Sequence, residues 1–414
     1  MKVEIISIGD ELLIGRTINT NAAWIGEQLS LLGFSIARVT TISDSRHAII
    51  NAVTNAYTEH DVIIITGGLG PTNDDITKHV LCELFSCTLT MHADAYANIE
   101  RFILSRNGEM NENNRNQALF PDKADFIPNL CGTASGMWFT HNNAIIISLP
   151  GVPFEMKDMM THTVIPKLAH TYTLPVIVHE HVSITGVHEA KLAEIIAPWE
   201  QNLPQEISLA YLPSPGIVKL RLTCVTKTQE KAHKLIQHAI TELQPYVGLY
   251  IYGYGLRAIE EVVGELLRSK SLTIATAESC TGGAIAQSIT SVSGSSDYFI
   301  GSIVAYSNSV KIQQLNISDD IIRTHGAVSQ IVVETMAQNC KKIFNTDFAI
   351  ATSGIAGPTG GSPEKPVGTV WIALAHTNGV HSYKYNFGEN RERTVTKTVI
   401  TALNTVRLLI ENKL

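Results

Sequence analysis

The sequence predicts an α/β protein of two or three domains, built on parallel sheets of the doubly wound type. Three observations support this prediction. The chain has 414 residues, enough for two or three domains, and 44% of them are hydrophobic, which is ample for buried cores. Short apolar runs alternate with helical patterns at both ends of the chain, as in doubly wound sheets. At both ends, glycine-rich turns follow the apolar runs.

Charge, cysteine content and hydropathy argue against several classes of protein. The formal net charge is −7, whereas a nucleic-acid or membrane-surface binder needs a basic face. Apolar runs of about 18 residues are missing, and Met1–Glu4 leads straight into an apolar run without a signal peptide. The six cysteines contain no Cys-x-x-Cys pair, which predicts reduced thiols. We therefore expect a cytoplasmic protein with neither a nucleic-acid nor a membrane partner. As separate expectations, we predict small-molecule partners and a homodimer.

Strands and helices alternate in the first region of the chain. The apolar runs at Val3–Ile8 and 61–66 predict buried strands, and Asn19 or Thr20 can cap a helix that Gly33 closes. The same patterns predict a strand at 34–39, a helix at 48–57, a strand at 144–149 and a polar, asparagine-rich loop at 111–121.

A glycine-rich loop follows the strand at 61–66 and contains Gly67, Gly68, Gly70 and Thr72. Its glycines let the backbone approach a phosphate closely, and its N–H groups can form an anion-binding nest. Asp74 and Asp75 begin the next predicted helix. Acids favour a helix N-terminus through the dipole, but a carboxylate pair beside a glycine loop also suits a divalent cation. We favour the cation.

A second turn in this region follows the strand at 144–149 and leads into Glu155. Proline and glycine fix the turn at 150–153, so Glu155 heads the next predicted helix. Glu155 is therefore a third candidate carboxylate for the same crevice, although by itself it is typical of a solvated helix residue.

The sequence pattern changes between Leu174 and Gly255, where it predicts an α+β module of two helices and three strands. His179 and His181 share one face of its first strand, but no carboxylate or cysteine completes a metal site. We interpret them as surface histidines, and the module shows no recognisable chemistry.

The last region is organised around residues 272–283, where a buried strand turns sharply at Ser279 and Cys280 and then opens a helix at Thr281, Gly282 and Gly283. A helix N-terminus offers free N–H groups and a positive dipole end, which can hold an oxyanion or a phosphate. Either Ser279 or Cys280 could be a nucleophile if a base lies nearby.

A second glycine-rich turn ends the strand at 348–352, and it contains Ser353, Gly354, Gly357 and Gly360. Two such turns at strand ends are predicted to face one crevice. Asn378 and Gly379 predict a type I′ hairpin turn. Arg391 and Arg393 are placed just before the final helix.

Several ordered motifs make the chain resemble the CinA family (competence/damage-inducible protein A). They are Ile8–Glu11, Thr66–Asp75, Pro150–Met156, Ala277–Gly283, Ala305–Asn308 with Lys311, Ser353–Gly361 and Arg391. The resemblance implies a MoaB/MogA-like doubly wound domain at 1–170, a small KH-like α+β module at 174–255 and an α/β domain similar to PncC, nicotinamide mononucleotide deamidase, at 256–414.

Two activities are implied by this resemblance, and both fit pyridine nucleotide recycling. The last domain would hydrolyse the amide of nicotinamide mononucleotide without a cofactor. The first domain would be an ADP-ribose pyrophosphatase that needs a divalent metal ion, alone or with a monovalent cation. Asn116 and Ser135 replace the family's usual lysine and proline, and loss of a cation would weaken diphosphate binding. The alternatives are a molybdopterin-handling enzyme and a non-catalytic nucleotide-binding scaffold.

Residue roles follow from matching the motifs. In the last domain Ser279 would be the nucleophile and Lys311 its base, a Ser–Lys variant of the triad that needs a neutral lysine. Tyr306 would relay or orient the proton, Ser353 would orient the substrate or assist Lys311, and Arg391 would pair with the phosphate. The glycine turns Thr281–Gly283 and 354–360 would bind substrate. In the first domain, the expected substrate-binding residues are Asp10, Glu11, Gly67, Gly68, Gly70 and Thr72, and the expected metal ligands are Asp75, Asp74 and Glu155.

Overall fold

The computed structural model describes residues 1–72 and 75–414. The chain divides into two compact units. Unit 1 comprises Met1–Val178 with Val225–Ala232, and unit 2 comprises His179–Cys224 with His233–Leu414. The boundaries of the three expected domains stay a prediction. Within the described ranges, no helix combines the length and the apolar character needed to cross a membrane.

Unit 1 is an α/β layer structure around a six-stranded sheet of order β2-β1-β3-β8-β7-β6. Its strands are β1 (Lys2–Ile8), β2 (Ser35–Ile42), β3 (Val62–Thr66), β4 (Leu89–Met91), β5 (Leu119–Pro121), β6 (Asp125–Ile127), β7 (Gly136–His141) and β8 (Ala144–Leu149). Its helices are α1 (Asp10–Leu13), α2 (Thr20–Leu31), α3 (Arg46–Glu59), α4 (Thr77–Leu84), α5 (Ala93–Leu104), α6 (Glu112–Gln117), α7 (Pro153–Met159) and α8 (Ile165–Thr171), with a π-helical turn at Met160–Val164.

Strand β3 shows why the centre of this sheet is parallel and apolar. It pairs in parallel with both β1 and β8. Its successive side chains point to opposite faces, so Ile64 packs in the core on one face and Ile63 and Ile65 pack in the core on the other. Helices cover both faces, which requires a continuous apolar run in place of an alternating one. The strands β7 and β6 then add antiparallel at one edge.

Two local features of unit 1 differ from or add to the sequence prediction. Residues 111–121 are not a loop, because α6 forms there with a reciprocal cap: the Asn111 side chain accepts the Asn114 N–H and the Asn114 side chain accepts the Asn111 N–H. The β7–β8 hairpin turns through Asn142 and Asn143 at φ of 48° and 66°, which is a type I′ geometry that asparagine tolerates. The predicted cap at Asn19 is confirmed, since its side chain accepts the Ala22 N–H.

The middle module is a four-stranded sheet of order β10-β11-β9-β12 with two helices. Its elements are β9 (Val176–Thr185), α9 (Glu189–Gln201), β10 (Ile207–Ser214), β11 (Ile217–Thr226), α10 (Gln229–Val247) and β12 (Ile251–Tyr254). Trp199 joins the helices by donating its indole N–H to the Ala239 carbonyl at 2.9 Å.

The two histidines interpreted as surface residues are only partly exposed. Both His179 and His181 are half-buried. Burial and the nearby charge of Arg221 lower their pKa values, and His179 Nδ1 lies 2.8 Å from Thr223 Oγ1.

The C-terminal part of unit 2 is a five-stranded sheet of order β14-β13-β15-β16-β17. Its strands are β13 (Ile274–Glu278), β14 (Phe299–Val304), β15 (Phe348–Gly354), β16 (Thr369–His376) and β17 (Gly379–Asn386). Its helices are α11 (Ile259–Ser269), α12 (Ala284–Thr290), α13 (Asn308–Leu315), α14 (Asp319–His325), α15 (Gln330–Phe344) and α16 (Arg391–Ile410), with a 3-10 turn at Ser295–Asp297. Strand β13 pairs in parallel with β14 and β15, so the carboxyl ends of these three strands lie side by side.

The hairpin β16–β17 forms as predicted, but its turn is shifted by one residue. His376 pairs with Gly379, so Thr377 and Asn378 connect the strands and Gly379 already belongs to β17. Only Gly379 of this segment has a positive φ, of 147°. The type I′ turn expected at Asn378–Gly379 is therefore wrong.

Candidate active site

A cavity of about 250 Å³ opens beyond the carboxyl ends of β13 and β15. It brings together seven residues that the sequence singled out, although more than 100 residues separate the first from the last. Its lining consists of Ser279, Cys280, Tyr306, Asn308, Lys311, Ala327, Val328, Ser353, Gly354, Ala356 and Arg391. The crevice predicted from two strand-end turns thus exists as a single site.

Lys311 lies at the bottom of this cavity, 2.9 Å from the Ser279 hydroxyl. Ser307 caps α13 by accepting the Val310 N–H, and the following turn directs Lys311 inward, where it is only 1% exposed. Its amine also donates to the Ala305 carbonyl at 2.8 Å and to the Tyr306 carbonyl at 3.4 Å. Burial lowers the pKa of Lys311. Its lone pair is therefore accessible at a lower pH than that of a solvated lysine.

The turn that carries Ser279 differs from the sequence prediction in one chemically important respect. The N–H groups at the start of α12 are not free, because the Glu278 carboxylate accepts those of Gly283, Ile285 and Ala286 at 3.1, 3.0 and 2.8 Å. The Thr281 hydroxyl donates to the same carboxylate at 2.7 Å. None of Thr281, Gly282 and Gly283 lines the cavity. The expectation that this helix start holds an oxyanion is therefore wrong for Gly283.

Cys280 is a poorer candidate nucleophile than the sequence suggested. Its side chain is 8% exposed, and burial raises the pKa of the thiol to about 12, with the charge of Glu278 as a smaller contribution. A position near a helix start would lower the pKa only if the thiol faced free N–H groups, which Glu278 occupies here. Cys280 therefore carries no thiolate at neutral pH.

Tyr306 and Ser353 line the cavity, but their hydroxyls bond elsewhere than to Lys311. The Tyr306 hydroxyl accepts from Arg391 Nη2 at 3.2 Å, and its side chain is 62% exposed. The Ser353 hydroxyl donates to the Ala327 carbonyl at 2.7 Å and is almost fully buried. In the described parts of the chain, the contact between Tyr306 and Lys311 runs through the tyrosine's main-chain carbonyl.

Arg391 is the first residue of α16, not a residue before it. Its Nη1 donates to the Gly357 carbonyl at 3.0 Å while its Nη2 reaches Tyr306, so the guanidinium is held at the cavity rim. Arg393 does not line the cavity, and its main-chain N–H donates to the Asn390 cap. The structure thus separates the two arginines that the sequence placed close together near the final helix.

The glycine-rich turn after β15 contributes in two ways. Gly354 lines the cavity, and a Cβ there would lie 2.7 Å from the Thr369 carbonyl oxygen. Gly357, at φ of 87°, supplies the carbonyl that holds Arg391. Gly360 also has a positive φ, of 91°, but lies outside the cavity lining. Only Gly354 of these three is therefore in a position to contact a ligand in the cavity.

Sequence reasoning missed several lining residues. Asn308 stands in a motif that was quoted, and its place directly after a strand and a turn was a usable signal. Ala327 and Val328 lie between α14 and α15 and have small or apolar side chains with no chemical signature. Glu278 was noted only as part of a turn, although it is fully buried beside the serine.

In unit 1, the strand ends of β1 and β3 also come together. Gly67 sits at φ of 110°, and a Cβ there would lie 2.4 Å from the Ile8 carbonyl oxygen. Gly68 is at φ of 66° against the Thr77 side chain, whose hydroxyl is buried without a partner in the described part of the chain. The loop therefore needs glycine for close packing as well as for any ligand.

Two of the predicted acidic ligands of unit 1, Asp75 and Glu155, each accept hydrogen bonds from separate local partners. Asp75 Oδ2 accepts the Thr72 N–H at 3.0 Å and the Thr72 hydroxyl at 2.5 Å, beside Gly70. Glu155 Oε2 accepts from the Asn129 side chain at 2.6 Å. Asp74 lies outside the described residues.

The other two acids predicted for this site, Asp10 and Glu11, begin the short helix α1. The Asp10 N–H donates to Asp44, and Glu11 folds back against Gly9. Across residues 1–72 and 75–414, no group of three histidine, cysteine or acidic side chains is arranged to hold a metal ion.

Comparison with known proteins matches three family models along the chain. Residues 4–170 match the probable molybdopterin binding domain, residues 179–253 the damage-inducible protein CinA KH domain, and residues 256–410 the CinA C-terminal domain. The fold is therefore mixed α/β, with a MoaB/MogA-like N-terminal domain, a KH-like middle module and a CinA C-terminal domain.

Two relatives match this chain over nearly its whole length. The chain is similar to a CinA-like protein of Cytophaga hutchinsonii, with 43% identity over 98% of this chain and 97% of that one. It is also similar to a CinA-like protein of Flavobacterium psychrophilum, with 44% identity over 98% of each. A solved structure, the competence/damage inducible protein CihA from Agrobacterium tumefaciens, is 36% identical over 37% of this chain and 96% of that one, with a TM-score of 0.36. From the identity and coverage of the two full-length relatives, the chain belongs to the CinA-like protein family.

Proposed function

We propose that the C-terminal domain is an amidase that hydrolyses nicotinamide mononucleotide to nicotinic acid mononucleotide and ammonia. The observation that carries the proposal is the buried Lys311 amine, 2.9 Å from the Ser279 hydroxyl, in a cavity with Arg391 at its rim. A serine is a weak nucleophile until a base accepts its proton, and a desolvated lysine is such a base.

The two carbonyl contacts of Lys311 support its role as the base. A neutral amine has two N–H bonds and one lone pair. The carbonyls of Ala305 and Tyr306 can accept the two N–H bonds, which leaves the lone pair for the Ser279 proton. A protonated lysine would donate to all three oxygens instead, and burial disfavours that charged form.

The proposed reaction then proceeds in two stages. Ser279 Oγ bonds to the amide carbon while its proton moves to Lys311, and the tetrahedral intermediate collapses as Lys311 returns that proton to the leaving nitrogen, releasing ammonia. Water next attacks the resulting ester, Lys311 accepts one proton from it and returns that proton to Ser279 Oγ, and the product leaves as a carboxylic acid that gives its remaining proton to solvent. These steps use only the chain's own residues and water.

Arg391 supports a mononucleotide as the substrate. Its guanidinium is fixed by Gly357 and Tyr306 at the rim, so a phosphate entering the cavity meets a preorganised fork of donors. The cavity volume of about 250 Å³ suits a compact ligand better than a dinucleotide.

The test is ammonia release from nicotinamide mononucleotide by the metal-stripped protein, beside the Ser279→Ala variant. Release by the wild type alone supports the amidase, its independence of metal and the serine. Failure of both proteins to release ammonia would contradict the proposal, and tight nucleotide binding without turnover would then support a scaffold.

The ADP-ribose pyrophosphatase activity of the N-terminal domain stays a prediction. Within residues 1–72 and 75–414 no group of three histidine, cysteine or acidic side chains is arranged to hold a metal ion, and the predicted ligand Asp74 lies outside these residues. We therefore derive no step through a metal. Hydrolysis of ADP-ribose with and without added magnesium tests the activity, and copurified pterin fluorescence would favour the molybdopterin alternative.

A further inference from the structure

Glu278 is a fully buried carboxylate directly beside the proposed nucleophile. In the described parts of the chain no lysine or arginine forms an ion pair with it, and its contacts are the three N–H groups of α12, the Thr281 hydroxyl and, at 3.2 Å, the Thr276 hydroxyl. A buried carboxylate is costly unless donors surround it, so this set of donors is what makes its burial tolerable.

The same residue connects the two reacting groups to the sheet. The Glu278 main-chain carbonyl accepts the Ala305 N–H at 2.8 Å, and the Ala305 carbonyl in turn accepts the Lys311 amine. The Ser279 N–H donates to the Thr352 carbonyl at 3.0 Å, and the hydroxyls of Thr352 and Thr281 lie 2.8 Å apart, beside the Glu278 carboxylate. Glu278 is therefore hydrogen-bonded on one side to the segment that holds Lys311 and on the other to the turn that holds Ser279.

We propose that Glu278 is a positioning residue, which fixes the turn from β13 to α12 so that Ser279 Oγ stays within hydrogen-bond distance of Lys311. Two glycines of this turn, Gly282 and Gly283, both adopt the left-handed region, at φ of 61° and 100°. Without the carboxylate, two adjacent glycines would leave this turn weakly constrained. The inference rests on the proposed function only through the choice of Ser279 as nucleophile.

The Glu278→Gln variant keeps the shape of the side chain and removes one acceptor. Its oxygen can still receive Gly283, Ile285 and Thr281, but its NH₂ group then faces the Ala286 N–H, donor against donor. Glu278→Ala removes every contact of the side chain. We expect graded losses of about tenfold for Gln and about 100-fold or more for Ala, the scale that follows from misplacing a nucleophile by about 1 Å.

The readout is the rate at which Ser279 is labelled by a fluorophosphonate, followed by mass spectrometry of the peptide that contains it. In this step Ser279 Oγ bonds to phosphorus, the phosphorus–fluorine bond breaks, fluoride leaves and the hydroxyl proton passes to Lys311. The rate does not depend on nicotinamide mononucleotide, so it separates positioning from the choice of substrate. The turnover assay adds a second readout, in which kcat falls and KM stays within about threefold.

Two controls sharpen the experiment. Glu4→Gln removes another buried carboxylate, 2% exposed in unit 1, and should leave the labelling rate unchanged. Thr281→Val removes only the hydroxyl next to Glu278 and Thr352, at nearly constant volume, and should slow labelling severalfold. It keeps the proposal testable if neither Glu278 variant folds.

Each outcome decides the proposal. Slower labelling in folded Glu278 or Thr281 variants supports it, even if the wild type releases no ammonia from nicotinamide mononucleotide, in which case only the substrate proposal fails. Labelling within twofold of the wild type in folded variants overturns it. A wild type whose Ser279 is not labelled also overturns it, together with the assignment of the nucleophile.

Discussion

Replacement of Lys311 by methionine should abolish activity without destabilising the protein. Methionine has a length close to that of lysine and no charge to bury. The amine it removes is 1% exposed, and the described residues give it no carboxylate partner. The change therefore separates the catalytic role of the amine from its structural cost.

The expected loss of activity follows from removal of a general base. Proton transfer by a positioned group contributes roughly 10²- to 10⁴-fold, which is about 3–5 kcal/mol of transition-state stabilisation. The free energy of unfolding is not expected to fall together with the activity. The Ala305 carbonyl loses a donor, at a cost of about 1–3 kcal/mol, whereas relief of a desolvated amine is worth several kcal/mol. At pH 7 the variant should be at least as stable as the wild type.

The pH dependence gives this prediction its sharpest form. Burial lowers the pKa of Lys311 in the native state, while in the unfolded chain a lysine titrates near ~10.4. Between those two values the unfolded chain binds more protons than the native protein, so this lysine makes the wild type more stable as pH rises. Methionine binds no proton. The stability advantage of Lys311→Met should therefore shrink as pH rises through this window.

Calorimetric melting of both proteins at about pH 7 and pH 10 measures the difference. Lys342→Met is the matched control, because Lys342 is exposed on α15 and should change neither activity nor the pH dependence of melting. A difference in melting temperature between Lys311→Met and wild type that is equal at both pH values would refute the burial argument. Activity of Lys311→Met within tenfold of wild type would refute the role as base.

Further predictions concern the nucleophile, the rim and the core. Ser279→Ala should lower ammonia release at least 10³-fold. Cys280→Ala should stay within about threefold of the wild type, because the Cys280 thiol has a pKa of about 12. A larger loss in Cys280→Ala than in Ser279→Ala would make Cys280 the nucleophile. Arg391→Lys should raise KM about tenfold with kcat nearly constant, since one amine cannot replace the fork; an unchanged KM contradicts this. Arg407→Met should cost about 2 kcal/mol by calorimetry, because Arg407 is 1% exposed and Glu411, its partner at 2.9 Å, still reaches water; unchanged melting contradicts this.

Much of the fold could be predicted because its signals are local. The apolar run of β3 reflects burial on both faces, and the cap at Asn19 needs only the next three residues. The turn positions were predicted less well, because neighbouring residues compete for the same turn and single-residue signals do not decide between them. Asn378–Gly379 suggested a turn, but the pairing of His376 with Gly379 moved it by one residue, while the actual type I′ turn at Asn142–Asn143 carries no glycine.

The candidate site was predicted only in part for a different reason. Ser279 could be singled out because it follows an apolar strand and precedes two glycines, a pattern contained in a few residues. The burial of Lys311 could not be read in this way, because a lysine in a short polar helix is typical of a solvated surface. Its position depends on α13 packing beyond β13, and its neighbour Ser279 is 32 residues away along the chain.

The sequence by itself determined the family, the central buried strands and the serine-bearing turn, because these depend on short-range patterns and ordered motifs. Only the tertiary structure decided the protonation chemistry. Glu278 occupies the helix N–H groups that a sequence argument leaves free, Cys280 is buried too deeply to ionise at neutral pH, and Lys311 loses its water. Burial and hydrogen-bond partners are properties of residues brought together from distant parts of the chain, and they set pKa values that no local pattern contains.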